Sequence, residues 1–175
     1  VVGALRNRDK RRSVAVAWDI GSYFARRFHP FAPPTYRAQA IADLEAAVDH
    51  FRAEGNRVVI GAHSQGTVVC AAAISESENT MATGFLTYGS PLGSLYARFF
   101  PRYFTGEYLT EVAGKVPGGW INLWRPTDPI SGPLTPGPDD RSIDDTKVRG
   151  HGGYWLADEP EFARAIDDLK ARITR

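Results

Sequence analysis

The sequence predicts an α/β protein: a mostly parallel sheet of about five strands with helices on both faces. Two observations carry this. Short, uninterrupted apolar runs, expected of strands buried on both faces, are separated by stretches with helical apolar spacing. Glycine, serine, proline or aspartate also follows each run within two residues, where such sheets place their functional loops. The size agrees. At 175 residues and 43% hydrophobic composition, the chain buries an ordinary core without a disulfide or metal staple.

Residues 1–12 are basic, with Arg6, Arg8, Lys10, Arg11 and Arg12, and form a lead-in segment distinct from the domain at 13–175. They read either as a solvated start or as a basic segment that follows a membrane span further upstream. The opening Val1-Val2, in place of Met, is what a chain continuing upstream would show. Ser13–Trp18 is the first expected strand, followed by an aromatic and arginine-rich loop, Asp19 to Pro34. Thr35 can cap a helix that carries Ile41, Leu44, Val48 and Phe51 on one stripe and stops at Gly55. Arg57 to Ala62 is the second strand, and the small residues from Thr67 to Ile74 form a helix able to sit close to a sheet. Gly84–Tyr88 and Trp120–Trp124 are the third and fourth strands. The stretch from Arg125 to Asp140 reads as loop, and a short fifth strand is expected near Ile143 to Val148. The last helix opens at Asp158-Glu159-Pro160, with proline at its first position, and its stripe is Phe162, Ala165, Ile166, Leu169 and Ile173.

Composition narrows the function. Twenty-one Lys and Arg against twenty Asp and Glu leave a net charge of +1, which is no footprint for nucleic acid. No apolar run approaches the ~20 residues that cross a bilayer. The single cysteine, Cys70, excludes an intrachain disulfide and fits a reducing compartment. A cytoplasmic soluble domain is therefore expected, with the basic start leaving open its attachment to a membrane protein. No phosphate-binding glycine loop and no metal-spaced Cys/His cluster appears, so neither cofactor nor metal is implied.

The chemistry concentrates after the second strand, in Gly61-Ala62-His63-Ser64-Gln65-Gly66. This is close to the Gly-x-Ser-x-Gly nucleophile elbow, with Ala62 at the first glycine position. The elbow puts serine on a tight strand-to-helix turn so that its oxygen projects from the sheet edge, and small neighbours leave it room. The helix that follows aims its positive end at the site, and the Gln65 backbone N–H is one oxyanion donor. Serine needs a base, and in elbow folds the acid and then the histidine follow it in the chain. His29 and His50 precede Ser64, and His63 adjoins it with a side chain expected to leave the turn in a different direction. Only His151 follows, in the glycine-flanked run Gly150–Trp155. Asp128, just after the fourth strand, is the preferred acid to hold His151 in its productive tautomer. Asp139, Asp140, Asp144 and Asp145 are rivals by order alone.

Four pieces in this order resemble the α/β-hydrolase superfamily, most closely its class 3 lipase and cutinase-like branches. They are Ala62–Gly66, Leu86–Pro91, Asn122–Pro129 with Asp128, and His151–Trp155. The resemblance implies a minimal α/β-hydrolase fold and a serine esterase or lipase-like activity through Ser64, His151 and Asp128. The strand whose loop carries the family's second oxyanion donor falls, on this count, upstream of Val1, and Ser22 in Asp19–Ser22 is the candidate substitute. The segment from Phe28 to Pro34, with the basic start, also resembles the hydrolase-like tails of bacterial membrane proteins.

Tyr96, Phe99, Phe100, Tyr103, Phe104 and Tyr108 crowd the stretch after the third strand. They read either as a cover or acyl pocket, with His63, Tyr96, Phe99 and Phe100 as substrate-contacting candidates, or as aromatics packed on the sheet. A second cluster, Tyr23, Phe24, Phe28 and Phe31, is interleaved with Arg26 and Arg27. The expected partner is a small-molecule ester or lipid, with membrane proximity through the basic start. The alternative from a different class is a non-catalytic hydrolase-like module that binds a ligand or partner.

Overall fold

The computed structural model describes residues 36–78, 82–144 and 149–174. The expected strand Ser13–Trp18, the basic lead-in, Ser22, the cap at Thr35 and the cluster from Tyr23 to Phe31 lie outside them. The chain divides into two compact units, Val1–Ala42 and Asp43–Arg175, and the sheet belongs to the second.

Helix α1 spans Tyr36–Ala53. Gly55, at φ +80°, turns the chain out of it, and its N–H donates to the Arg52 carbonyl at 2.9 Å. Val48 is buried as its spacing predicts, but Phe51 is 50% exposed. Phe51 sits in the last turn, where the chain leaves the helix, and lines an open depression with Glu54 and Arg57.

Strands β1 (Val59–His63), β2 (Gly84–Tyr88) and β3 (Trp120–Trp124) fall where their apolar runs predict. Strand β4, Asp139–Ser142, does not. It lies at the end of the stretch read as loop, just before the Ile143–Val148 run expected to be a strand, whose residues 145–148 are outside the described set. The sheet order is β1-β2-β3-β4, and all three pairings are parallel. The described residues thus form a four-stranded parallel sheet with helices, an α/β arrangement. β4 escaped detection because it has no apolar alternation and is held by polar bonds. Asp140 accepts from Asn122, Trp124 and the Leu134 N–H, and Arg141 and Arg172 pair with Asp139. Ile143 follows it, buried, its N–H donating to the Trp124 carbonyl at 2.8 Å.

Alternation along the strands sorts side chains to two faces. Leu86, Ile121 and Leu123 form one cluster with Ile143, Tyr154, Ala165 and Leu169. Ala165 and Leu169 come from helix α5, Pro160–Ile173, whose stripe packs as its spacing predicts. The opposite face carries Ile60, Ala62, Phe85, Thr87, Trp120 and Asn122, also buried. There Asn122 donates to the Gly132 carbonyl, so the β3–β4 connection is anchored on that face. Helix α2, Gln65–Glu76, packs on β1 with Val68, Ala71 and Ala73 fully buried.

The aromatic segment folds as a π-turn at Leu92–Tyr96, a short helix α3 at Ala97–Phe99, and helix α4 at Gly106–Gly114, capped by Thr105. It is neither all cover nor all core. Tyr96 and Phe104 are buried, whereas Phe99 and Tyr103 are exposed. No helix of the described residues is long and apolar enough to cross a membrane.

Candidate active site

Ser64 joins β1 to α2, and among the described residues it is the only non-glycine with positive φ, at φ 54° and ψ −130°. Such a conformation costs about 1–3 kcal/mol and persists only where the surroundings enforce it. Here they do. Ser64 N–H extends the parallel ladder to the Tyr88 carbonyl at 3.3 Å, while its own carbonyl accepts from Thr67 N–H at 3.0 Å and from Thr67 Oγ1 at 2.7 Å. Thr67 Oγ1 also meets the buried Ser90 hydroxyl at 2.9 Å. Gln65 opens α2, and the N–H groups of a helix's first turn face outward along its axis, toward any anion at the elbow.

His151 Nε2 lies 2.8 Å from Ser64 Oγ. Its Nδ1 lies 3.0 and 3.2 Å from the two oxygens of Asp128. Burial alone would push the Asp128 carboxyl up. Hydrogen bonds from His151, the Ile130 N–H and the Tyr154 hydroxyl outweigh it and hold the carboxyl down at about 2. An ionised Asp128 can only accept, so His151 carries its proton on Nδ1 and presents the lone pair of Nε2 to the Ser64 hydroxyl. The Tyr154 hydroxyl donates to Asp128 Oδ2 at 2.9 Å. The Ser131 hydroxyl, 3.1 Å away, is therefore the donor to Tyr154. The rival acids are elsewhere: Asp140 is engaged in the β3–β4 connection, Asp139 pairs with arginines, Asp144 is exposed, and Asp145 lies outside the described residues.

His63, the last residue of β1, is not turned away. Its ring stacks on His151 at 4.7 Å between centroids, and its Nε2–H donates to the His151 carbonyl at 3.0 Å. Burial lowers its pKa, favouring the neutral form. Tyr88 stacks on the same ring, and the half-exposed Trp155 meets its edge. The packing depends on Gly89, at φ +59°. A Cβ there would come within 3.0 Å of His63 Nε2 and 3.2 Å of His151 Cε1.

The histidine loop is held from a second side by Arg125, which is completely buried. Its Nη1 donates to the Gly152 carbonyl at 2.6 Å. Its Nη2 donates to the Gly153 carbonyl at 3.2 Å and to Glu159 Oε2 at 2.9 Å. The guanidinium lies 4.2 Å over the centre of the Tyr154 ring.

The structure thus brings Ser64, His151, Asp128 and His63 together, with Gln65 at the helix start. Tyr96 donates to Gln65 Oε1 at 2.8 Å, placing it against the elbow. Phe100 packs on Tyr96, and Phe99 is exposed at 66%. Ser22 lies outside the described residues. Thr67, Ser90, Tyr154, Arg125 and Glu159 carry no role in the sequence reading. The signal available there was position alone: Tyr154 lies in the histidine run, Ser90 in Leu86–Pro91, Arg125 in Asn122–Pro129 and Glu159 at the opening of the last helix. Among the described residues, no three His, Cys, Asp or Glu side chains are grouped to hold a metal ion. Compared with known protein families, with curated proteins and with solved structures, the chain finds no match.

Proposed function

We propose that this chain is a serine hydrolase of the α/β-hydrolase type that cleaves a carboxylic ester of a small molecule or lipid. The observation that carries the reading is the continuous relay from Ser64 Oγ through His151 to Asp128, at 2.8 and 3.0 Å. The chain order Ser, acid, His of elbow hydrolases supports it too: the elbow follows β1, Asp128 follows β3 and His151 precedes the last helix.

In this reading Ser64 Oγ attacks the ester carbonyl while His151 Nε2 takes its proton. Asp128 stabilises the resulting imidazolium. The oxyanion forms at the N-terminus of α2, where the Gln65 N–H donates. His151 then returns the proton to the leaving alkoxide, and a water activated by the same imidazole releases the acyl group from Ser64. An ester demands less oxyanion stabilisation than an amide, which suits a site for which one donor is identified. Each such donor is worth roughly 10²–10³ in turnover.

Labelling with a fluorophosphonate tests the reading. Wild-type protein should form a covalent adduct at Ser64, Ser64→Ala should form none, and p-nitrophenyl ester turnover should vanish with it. A folded wild type that neither labels nor turns over esters would sink the hydrolase reading and leave the binding module in its place.

A further inference from the structure

Three successive carbonyls of the histidine loop are each held by a side chain from outside it. His63 takes that of His151, and the two ends of Arg125 take those of Gly152 and Gly153. The loop needs outside support, because Gly150 and Gly153 both sit at positive φ and glycine backbone is costly to fix. Arg125 is suited to supply it. A planar guanidinium presents its N–H groups in a rigid fork, so two adjacent carbonyls and one carboxylate are met at once. Its carboxylate partner, Glu159, caps α5 by accepting from the Glu161 N–H, so the fork is tied to the helix. Its flat face rests on Tyr154, whose hydroxyl reaches Asp128. One buried cation therefore touches the backbone that carries the base and the ring that steadies the acid.

We propose that Arg125 is a positioning residue for the hydrolysis, holding the histidine loop so that His151 stays between Ser64 and Asp128. This rests on the serine-hydrolase reading. A buried Arg–Glu pair that merely stabilised the fold would change the melting temperature and leave turnover alone. A positioning residue changes kcat in protein that is still folded.

The test compares wild type with Arg125→Lys and Glu159→Gln, each well below its melting temperature. Measured quantities are kcat and KM on a p-nitrophenyl ester and the low-field proton resonance of His151 Nδ1–H. Arg125→Lys keeps the charge and loses the fork. It should lower kcat about 10²-fold, the effect of displacing a reacting group by an ångström. KM should stay within about twofold, and the resonance should broaden or vanish. Glu159→Gln should do the same more weakly. Arg125→Ala, if folded, should regain part of its turnover with millimolar guanidinium. A folded Arg125→Lys with wild-type kcat and an unaltered resonance overturns the proposal while leaving the hydrolase reading intact. If wild type fails to label at Ser64, the hydrolase reading falls, and the resonance alone decides whether Arg125 holds His151 against Asp128.

Discussion

The elbow and the acid–histidine assembly reach comparable geometry by opposite means. The elbow is local. Ser64 is set mainly by the end of one strand, the start of one helix and a threonine three residues on, with one ladder bond to the Tyr88 carbonyl of the neighbouring strand. The assembly is long-range. Asp128 and His151 come from loops on either side of β4, and Arg125, Tyr154, Glu159, His63 and Gly89 from several elements hold them. A local device tolerates loss of one contact because the backbone still has only one way to turn. A long-range one depends on each tether, since no short segment encodes its shape. Damage to the elbow's support should therefore cost stability more than rate, and damage to the assembly's supports the reverse.

The largest expected effect is at the acid itself. Asp128→Asn keeps the shape but can stabilise the wrong His151 tautomer, so kcat on a p-nitrophenyl ester should fall about 10⁴-fold. A loss under tenfold would mean that Asp128 does not serve His151.

Gly89→Ala comes next. It forces a side chain into positive φ, at about 1–2 kcal/mol, and drives a methyl between His63 and His151. A fall in kcat of about 10²-fold is expected, with a melting temperature only slightly lowered. Wild-type kcat here would break the claim that the stacked histidines must be held this closely.

Tyr154→Phe removes one of the bonds that hold Asp128 at about 2. Turnover should fall about tenfold, and the carboxyl should titrate higher, as read by NMR. Because the folded carboxyl lies below its ordinary 3.8, its stabilising effect is present above that value and is lost as pH falls toward about 2. The whole shift is worth about 2 kcal/mol. The variant should therefore carry a smaller contribution above 3.8 and exhaust it at a higher pH than wild type, and acid unfolding followed by circular dichroism checks it. Asp128 is also charged throughout the ordinary working range, so its own titration should not limit activity above about pH 4.

Thr67→Val gives the smallest change in rate. It removes the hydroxyl that bonds the Ser64 carbonyl and leaves Ser90 buried beside a methyl. Stability should drop by about 1–3 kcal/mol, measured by urea unfolding, while kcat changes by no more than a few-fold. A large fall in kcat would show that the elbow is as dependent on tethers as the acid–histidine assembly.

Residues close in the chain made the elbow, β2, β3 and α5 legible. Their apolar spacing and turn residues act over a few positions, and the burial of Leu86, Ile121 and Leu169 follows from it. Chain order leaves His151 as the one histidine after Ser64, whereas Asp128 stands out from its rivals only by its place just after β3. β4 was misplaced because Asp139–Ser142 is polar and its pairing depends on Asn122, Trp124 and Arg172. The aromatic segment divided where one reading or the other was expected, because tertiary contacts bury Tyr96 and leave Phe99 exposed.

By itself the sequence determined the elements with a clear apolar period, the serine turn and the single histidine that follows it, because these depend on short-range sterics and chain order. Only the tertiary structure decided which of five aspartates meets His151, that His63 turns toward it, and that a fully buried arginine grips its loop. Those are contacts between residues up to 88 positions apart. Their energies depend on burial and on hydrogen-bond geometry across the fold, which spacing along the chain does not record.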